Sequence, residues 1–170
     1  MNVNDVLIYL NAFAPFEKAE DWDNCGLLVG DKNLKVSKIL FSLDVTSNVI
    51  DEAIKENAEL IVAHHPVIFG GLKSVLSDSL VYKAIKAGIS VIAYHTCYDN
   101  CTNGVSYTLA KAIGLTGIEQ NSEIPCLMFG SRKYETTIAF VNDIKTVLDC
   151  VVNYVDSNKP IRKVAACGGS

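Results

Sequence analysis

The sequence predicts an α/β fold, layered α/β/α with a mostly parallel central sheet. Three observations carry this. Short apolar runs at Lys38–Asp44, Leu60–Ala63 and Ile89–Ala93 each end in a polar loop, as buried strands do. Segments of helical period separate them, and strand, helix, strand in about thirty residues is a βαβ crossover, which makes the strands parallel. Hydrophobic residues make up 49% of the chain and the mean hydropathy is +0.24, which suits a buried sheet or a sizeable subunit interface better than a solvated bundle. The 170 residues are expected to form one domain over 1–170.

In order, Val3, Val6, Leu7, Leu10 and Phe13 fall at helical spacing, with Asn2 or Asn4 as cap and Pro15 as stop. An irregular stretch to Gly30 follows, in which Trp22, the only tryptophan, is expected to be a packing anchor and Asn24, Cys25 and Gly26 a turn. After the strand at Lys38–Asp44, Thr46 or Ser47 caps a helix running through Asn57 with Val49, Ile50, Ala53 and Ile54 inward. Ser77 is expected to cap the next helix, with Leu80, Val81, Ala84 and Ile85 inward and Gly88 as its left-handed terminator. A helix from about Gly104 to Ile113, capped by Asn103 and closed by Gly114, completes a second crossover. Beyond Leu115 the pattern loosens to a strand near Cys126–Phe129, a helix near Ile138–Leu148, and strands at Cys150–Val155 and Arg162–Cys167. The last strand runs into Cys167, Gly168, Gly169 and Ser170, a helix-opening turn with no helix after it, which predicts a chain cut at an element boundary.

The net charge of −4 and pI near 5.3, without a Lys/Arg cluster, argue against nucleic acid as partner. No apolar run approaches the eighteen or so residues of a membrane span, and Met1 to Asp5 lack the basic start of a signal peptide. Six cysteines are scattered without a disulfide-framework spacing. The expectation is a cytoplasmic protein with reduced thiols and no membrane partner.

The chemical signal lies at strand ends. His64 and His65 follow the Leu60–Ala63 strand, and because adjacent strand residues point to opposite faces, both rings converge only where the strand has ended and the backbone turns. Pro66 helps by offering no N–H to further pairing. His95 and Asp99 follow the next parallel strand and so lie on the same edge of the sheet, where open α/β sheets bind ligands. A satisfied structural role is the default for one histidine. Three clustered imidazoles need partners for six ring nitrogens, and metal binding answers that better than a polar cluster. Nitrogen plus carboxylate ligation favours zinc, iron, manganese or cobalt over magnesium or calcium. A carboxylate such as Asp99 can bridge two ions, and metal-assisted hydrolysis is the natural reaction class. Zinc held by His95, Cys97 and Cys101 lacks the two close-spaced pairs of a closed zinc module. Asp44 is read as a helix cap rather than as a carboxylate that orients a histidine.

Trp22-Asp23-Asn24-Cys25-Gly26-Leu27, Ser42-Leu43-Asp44-Val45-Thr46, Ala63-His64-His65-Pro66, His95-Thr96 with Asp99, Asn103-Gly104-Val105 and the run Val164–Ser170 resemble, in order and spacing, the Nif-three-like dinuclear metal centre family, whose members are often labelled GTP cyclohydrolase I type 2 homologues. The resemblance implies an α/β fold, a homohexameric ring, and two divalent cations per subunit lined by His64, His65 and Asp99. It places His95 beside the metals, as a group for proton transfer or support. A further His and Glu complete such sites from a segment beyond the Cys-Gly-Gly-Ser motif, and this sequence stops there. The segment from Ile118 to Pro160 is too short for the domain that larger members insert.

The implied function is a metal-dependent hydrolase acting on a nucleotide-like or other small phosphorylated substrate. The alternatives are a metal-binding or regulatory ring protein without turnover, and an inactive shortened remnant.

Overall fold

The computed structural model describes residues 1–169; Ser170, which ends the Cys-Gly-Gly-Ser motif, lies outside the described residues. The backbone groups into two compact units, Met1–Tyr98 and Asp99–Ser170, each with its own sheet.

In the first unit, helix α1 (Val3–Phe13) opens with a capping box, in which the Asn2 side chain accepts from the Asp5 N–H at 2.9 Å and the Asp5 carboxylate accepts from the Asn2 N–H at 2.8 Å. Strand β1 (Gly26–Val29) follows where sequence reading expects an irregular stretch. It pairs antiparallel with β4, and its three apolar residues are too short a run to stand out from a turn. Gly30 ends it at φ +109°, and a Cβ there would meet the Ser90 Cα at 2.7 Å, so only glycine lets the two backbones approach this closely.

Strand β2 (Ile39–Ser42), helix α2 (Ser47–Glu56), strand β3 (Leu60–Ala63), helix α3 (Leu80–Lys86), strand β4 (Ser90–Ala93) and the short helix α4 (Thr96–Asp99) complete the order. The sheet order is β1-β4-β3-β2, with β2, β3 and β4 parallel and β1 an antiparallel edge. Ile61, Ala63, Val91 and Val29 pack against Ile50 and Ala53 of α2 and Val81 and Ala84 of α3. Ile54 and Ile85, expected inward, stay about half exposed. Thr46 caps α2, its hydroxyl accepting from the Val49 N–H at 3.2 Å, and Asn57 closes it in the left-handed conformation. Ser79, not Ser77, caps α3, because its hydroxyl is the one that meets the Tyr82 N–H, at 3.2 Å.

The second unit contains helix α5 (Val105–Ala112), strands β5 (Thr116–Gln120) and β6 (Leu127–Tyr134), helix α6 (Thr137–Leu148) and strand β7 (Ile161–Cys167). Its sheet, β5-β6-β7, is antiparallel throughout. The α/β class therefore holds, while the parallel character is confined to β2, β3 and β4. Gly104 rather than Asn103 occupies the cap of α5, since Asn103 takes φ +67° one residue earlier. Cys150–Val155 form no strand. The alternation is there, but no neighbouring strand supplies a ladder, and Val151 and Val155 are 88% and 90% exposed. Ala110, Ile113, Leu115, Met128 and Ala166 form this unit's core.

Candidate metal centre

The histidine doublet is held by an extension of the parallel ladder beyond β3. The His64 N–H donates to the Ser42 carbonyl at 3.1 Å and the His65 N–H to the Leu43 carbonyl at 2.8 Å, while the Ala63 carbonyl accepts from the Tyr94 N–H at 2.8 Å. Ala63 pairs with Ala93 in the register, so His64, His65 and His95 leave the sheet at one edge. Their rings close on one another, with centroids 4.9 Å apart for His64 and His65, 5.1 Å for His64 and His95, and 5.4 Å for His65 and His95. One ligand atom from each lies within 4.8 Å of the others, and among the described residues this is the cluster able to hold a metal ion.

Each ring is oriented from behind. His64 Nδ1 lies 3.1 Å from the Tyr94 carbonyl, His65 Nδ1 2.7 Å from Asp44 Oδ1, and His95 Nδ1 2.9 Å from Asp23 Oδ1. A carbonyl or a carboxylate only accepts, so the neutral form of each ring carries its proton on Nδ1 and its lone pair on Nε2. This backing by fixed oxygens is how protein sites present imidazole to a metal, and the donor set therefore fits a borderline divalent cation.

Asp23 is the carboxylate that local sequence reading passed over. Its side chain is fully withdrawn from solvent, and it accepts from His95, from the Thr96 N–H at 3.0 Å, from the Thr96 hydroxyl at 2.5 Å and from the Cys25 thiol at 3.2 Å. Burial opposes its ionisation, but the bonds from Thr96, His95, Cys25 and the Asn24 N–H outweigh burial and hold the carboxyl well below the usual carboxylate range. Its position 72 residues from His95 left no local signal; membership of the Trp-Asp-Asn-Cys-Gly motif was the one pointer.

Asp44 corrects a second expectation. Thr46 caps α2, and Asp44 instead orients His65, because the loop after β2 runs beside the loop after β3. Trp22 corrects a third. It is no buried anchor but 58% exposed, with its ring stacked on Phe69. His95, expected beside the metals, stands within the triad itself. Asp99 ends α4, which begins directly after His95, and is buried within the Asp99–Ser170 unit. There a Cβ on Gly169, which sits at φ +85°, would come 3.5 Å from Asp99 Oδ2, so the Cys-Gly-Gly turn runs close against this carboxylate.

A family model described as Duf34/NIF3 (NGG1p interacting factor 3) matches residues 1–170. The chain belongs to this family. Among curated relatives, the NIF3-family chain is 42% identical over 121 residues to a GTP cyclohydrolase 1 type 2 homolog of Staphylococcus epidermidis, covering 69% of this chain and 33% of that protein. A protein of the same name from Staphylococcus aureus is 40% identical over the same share. The match thus spans about a third of the length of these relatives. The crystal structure of Staphylococcus aureus hypothetical protein SA1388 superposes with a TM-score of 0.89 at 29% identity, covering 100% of this chain and 72% of that one. The Bacillus cereus protein related to NIF3 matches at a TM-score of 0.84 and 22% identity, over 100% of this chain and 77% of its own, and speaks for the fold alone. No helix among the described residues of this NIF3-family chain is long and apolar enough to cross a membrane.

Proposed function

We propose that this NIF3-family chain is a divalent-metal-dependent hydrolase of small, nucleotide-like or other phosphorylated substrates. The observation that carries the reading is the triad of imidazoles with every Nδ1 backed by a fixed oxygen acceptor. His64 and His65 would hold a cation through Nε2, with Asp99 as the carboxylate ligand, and zinc, iron or manganese suits that donor set. Two such cations per subunit is the arrangement that the resemblance suggests. The bound metal would supply Lewis acidity and lower the pKa of a coordinated water. His95 takes a proton from the attacking water at Nε2. The Asp23 carboxylate, ionised and buried behind Nδ1, stabilises the imidazolium that results. Asp44 fixes the His65 ring plane so that its lone pair stays directed into the cluster.

The name GTP cyclohydrolase 1 type 2 homolog, borne by the Staphylococcus relatives, is consistent with a nucleotide-like substrate. We also infer self-assembly into a ring, of six subunits by resemblance, since large apolar side chains such as Phe41 and Leu43 stand 71% and 61% exposed. Six free cysteines suit the reducing cytoplasm as the place of action. Metal content of protein purified without a tag, with hydrolysis of nucleoside phosphates by wild type and His65→Ala, tests the reading. Bound metal and turnover that both vanish in His65→Ala are expected. Metal without turnover would leave a binding or regulatory protein, and metal-free wild type would overturn the site.

A further inference from the structure

The geometry points to Trp22 and Phe69 as the stacking platform for a planar nitrogen heterocycle, a nucleobase or a ring of similar size, presented to the histidine triad. The two rings lie parallel within 7° at a centroid separation of 6.3 Å. Both meet His95 edge-on, Trp22 at 5.9 Å and 75°, Phe69 at 5.8 Å and 81°. The platform therefore adjoins the imidazole assigned to proton transfer, and it is not core packing, since Trp22 is 58% and Phe69 54% exposed.

Leaving two large aromatic faces in water forgoes the burial that such side chains normally gain, and the arrangement is nonetheless built. The Asn24 side-chain amide donates to the Ile68 carbonyl at 2.8 Å, which ties the loop bearing Phe69 to the segment bearing Trp22. Parallel, exposed π-faces accept a further ring by stacking and tolerate any base, because every base has a π-face. The net charge of −4 gives no basic track for a polynucleotide, so the ring belongs to a small molecule whose other end reaches His64, His65 and His95. This names the substrate class of the proposed metal centre and rests on that reading only for which group of the ligand reaches the histidines.

Trp22 is the single tryptophan, so its fluorescence reports this platform alone. Zinc-loaded protein is titrated with guanosine 5′-monophosphate and with ribose 5-phosphate, by emission and by calorimetry. Guanosine 5′-monophosphate is expected to quench Trp22, ribose 5-phosphate to leave it unchanged. Phe69→Ala should weaken the nucleotide about tenfold while zinc and ribose 5-phosphate bind as before, and Trp22→Phe should retain most of the affinity. Unchanged Trp22 emission at millimolar nucleotide, or equal weakening of both ligands by Phe69→Ala, overturns the platform. Zinc binding with no quench sinks the platform and spares the metal centre, whereas a wild type that takes up no zinc yet is quenched by the nucleotide supports the platform and sinks the metal centre.

Discussion

Asp23 Oδ1 stands 2.9 Å from His95 Nδ1, with the carboxylate side chain at 0% and the imidazole at 12% exposure. So dry a pair keeps its orientation and has little competition from water. Replacing Asp23 by Asn keeps the shape but removes the charge that favours a protonated His95 ring. We expect kcat/KM to fall about 10- to 100-fold with zinc content little changed. Steady-state hydrolysis and metal analysis of Asp23→Asn against wild type check both.

His95→Ala and His65→Ala should part company. If His95 moves protons and His65 binds metal, calorimetric zinc titration will show His65→Ala weakened more than about 100-fold and His95→Ala within about tenfold of wild type, with turnover lost in both. Equal loss of zinc in the two variants would make His95 a ligand.

Asp44 and Thr46, two residues apart, serve different ends. Thr46→Ala removes a helix cap and should cost about 1 kcal/mol in denaturant unfolding, with zinc affinity unchanged. Asp44→Asn loosens His65 and should lower zinc affinity about 10-fold or more with little change in melting temperature, since the carboxylate is 56% exposed.

Glu59 closes the turn before β2. Its carboxylate accepts from the Lys38 N–H at 3.0 Å, from the Ser37 hydroxyl at 2.7 Å and from the Ser37 N–H at 3.0 Å, which bring its pKa down from 4.5 to about 2. A carboxyl lowered on folding stabilises the native state above its unfolded value, and that contribution disappears as pH falls from 4.5 through about 2. Acid titration by circular dichroism should show Glu59→Gln less stable than wild type near neutrality, the difference narrowing across that window.

Gly30→Ala confronts both a backbone at φ +109° and the Ser90 Cα at 2.7 Å. We expect a loss of more than about 1 kcal/mol in urea unfolding, as β1 is forced off β4. Gly70→Ala, where a Cβ meets nothing within 4 Å, is the control and should be near neutral.

By itself the sequence determined the features that depend on neighbours along the chain. A strand of four apolar residues followed by His64, His65 and Pro66 must release both rings at its end, and repetition of strand and helix places His95 on that edge. The caps at Thr46 and the left-handed Asn57 and Gly88 are equally local. Tertiary structure alone decided what stands behind the rings. Asp44 looks like a cap until β2 lies beside β3, and Asp23 is unremarkable until the chain, 72 residues later, returns His95 to it. The same holds for β1 and for Cys150–Val155, one a strand because β4 accepts it, the other a loop because no ladder does. Periodicity records which face a residue prefers, whereas a hydrogen-bond partner far along the chain is chosen by packing, and no local pattern encodes that choice.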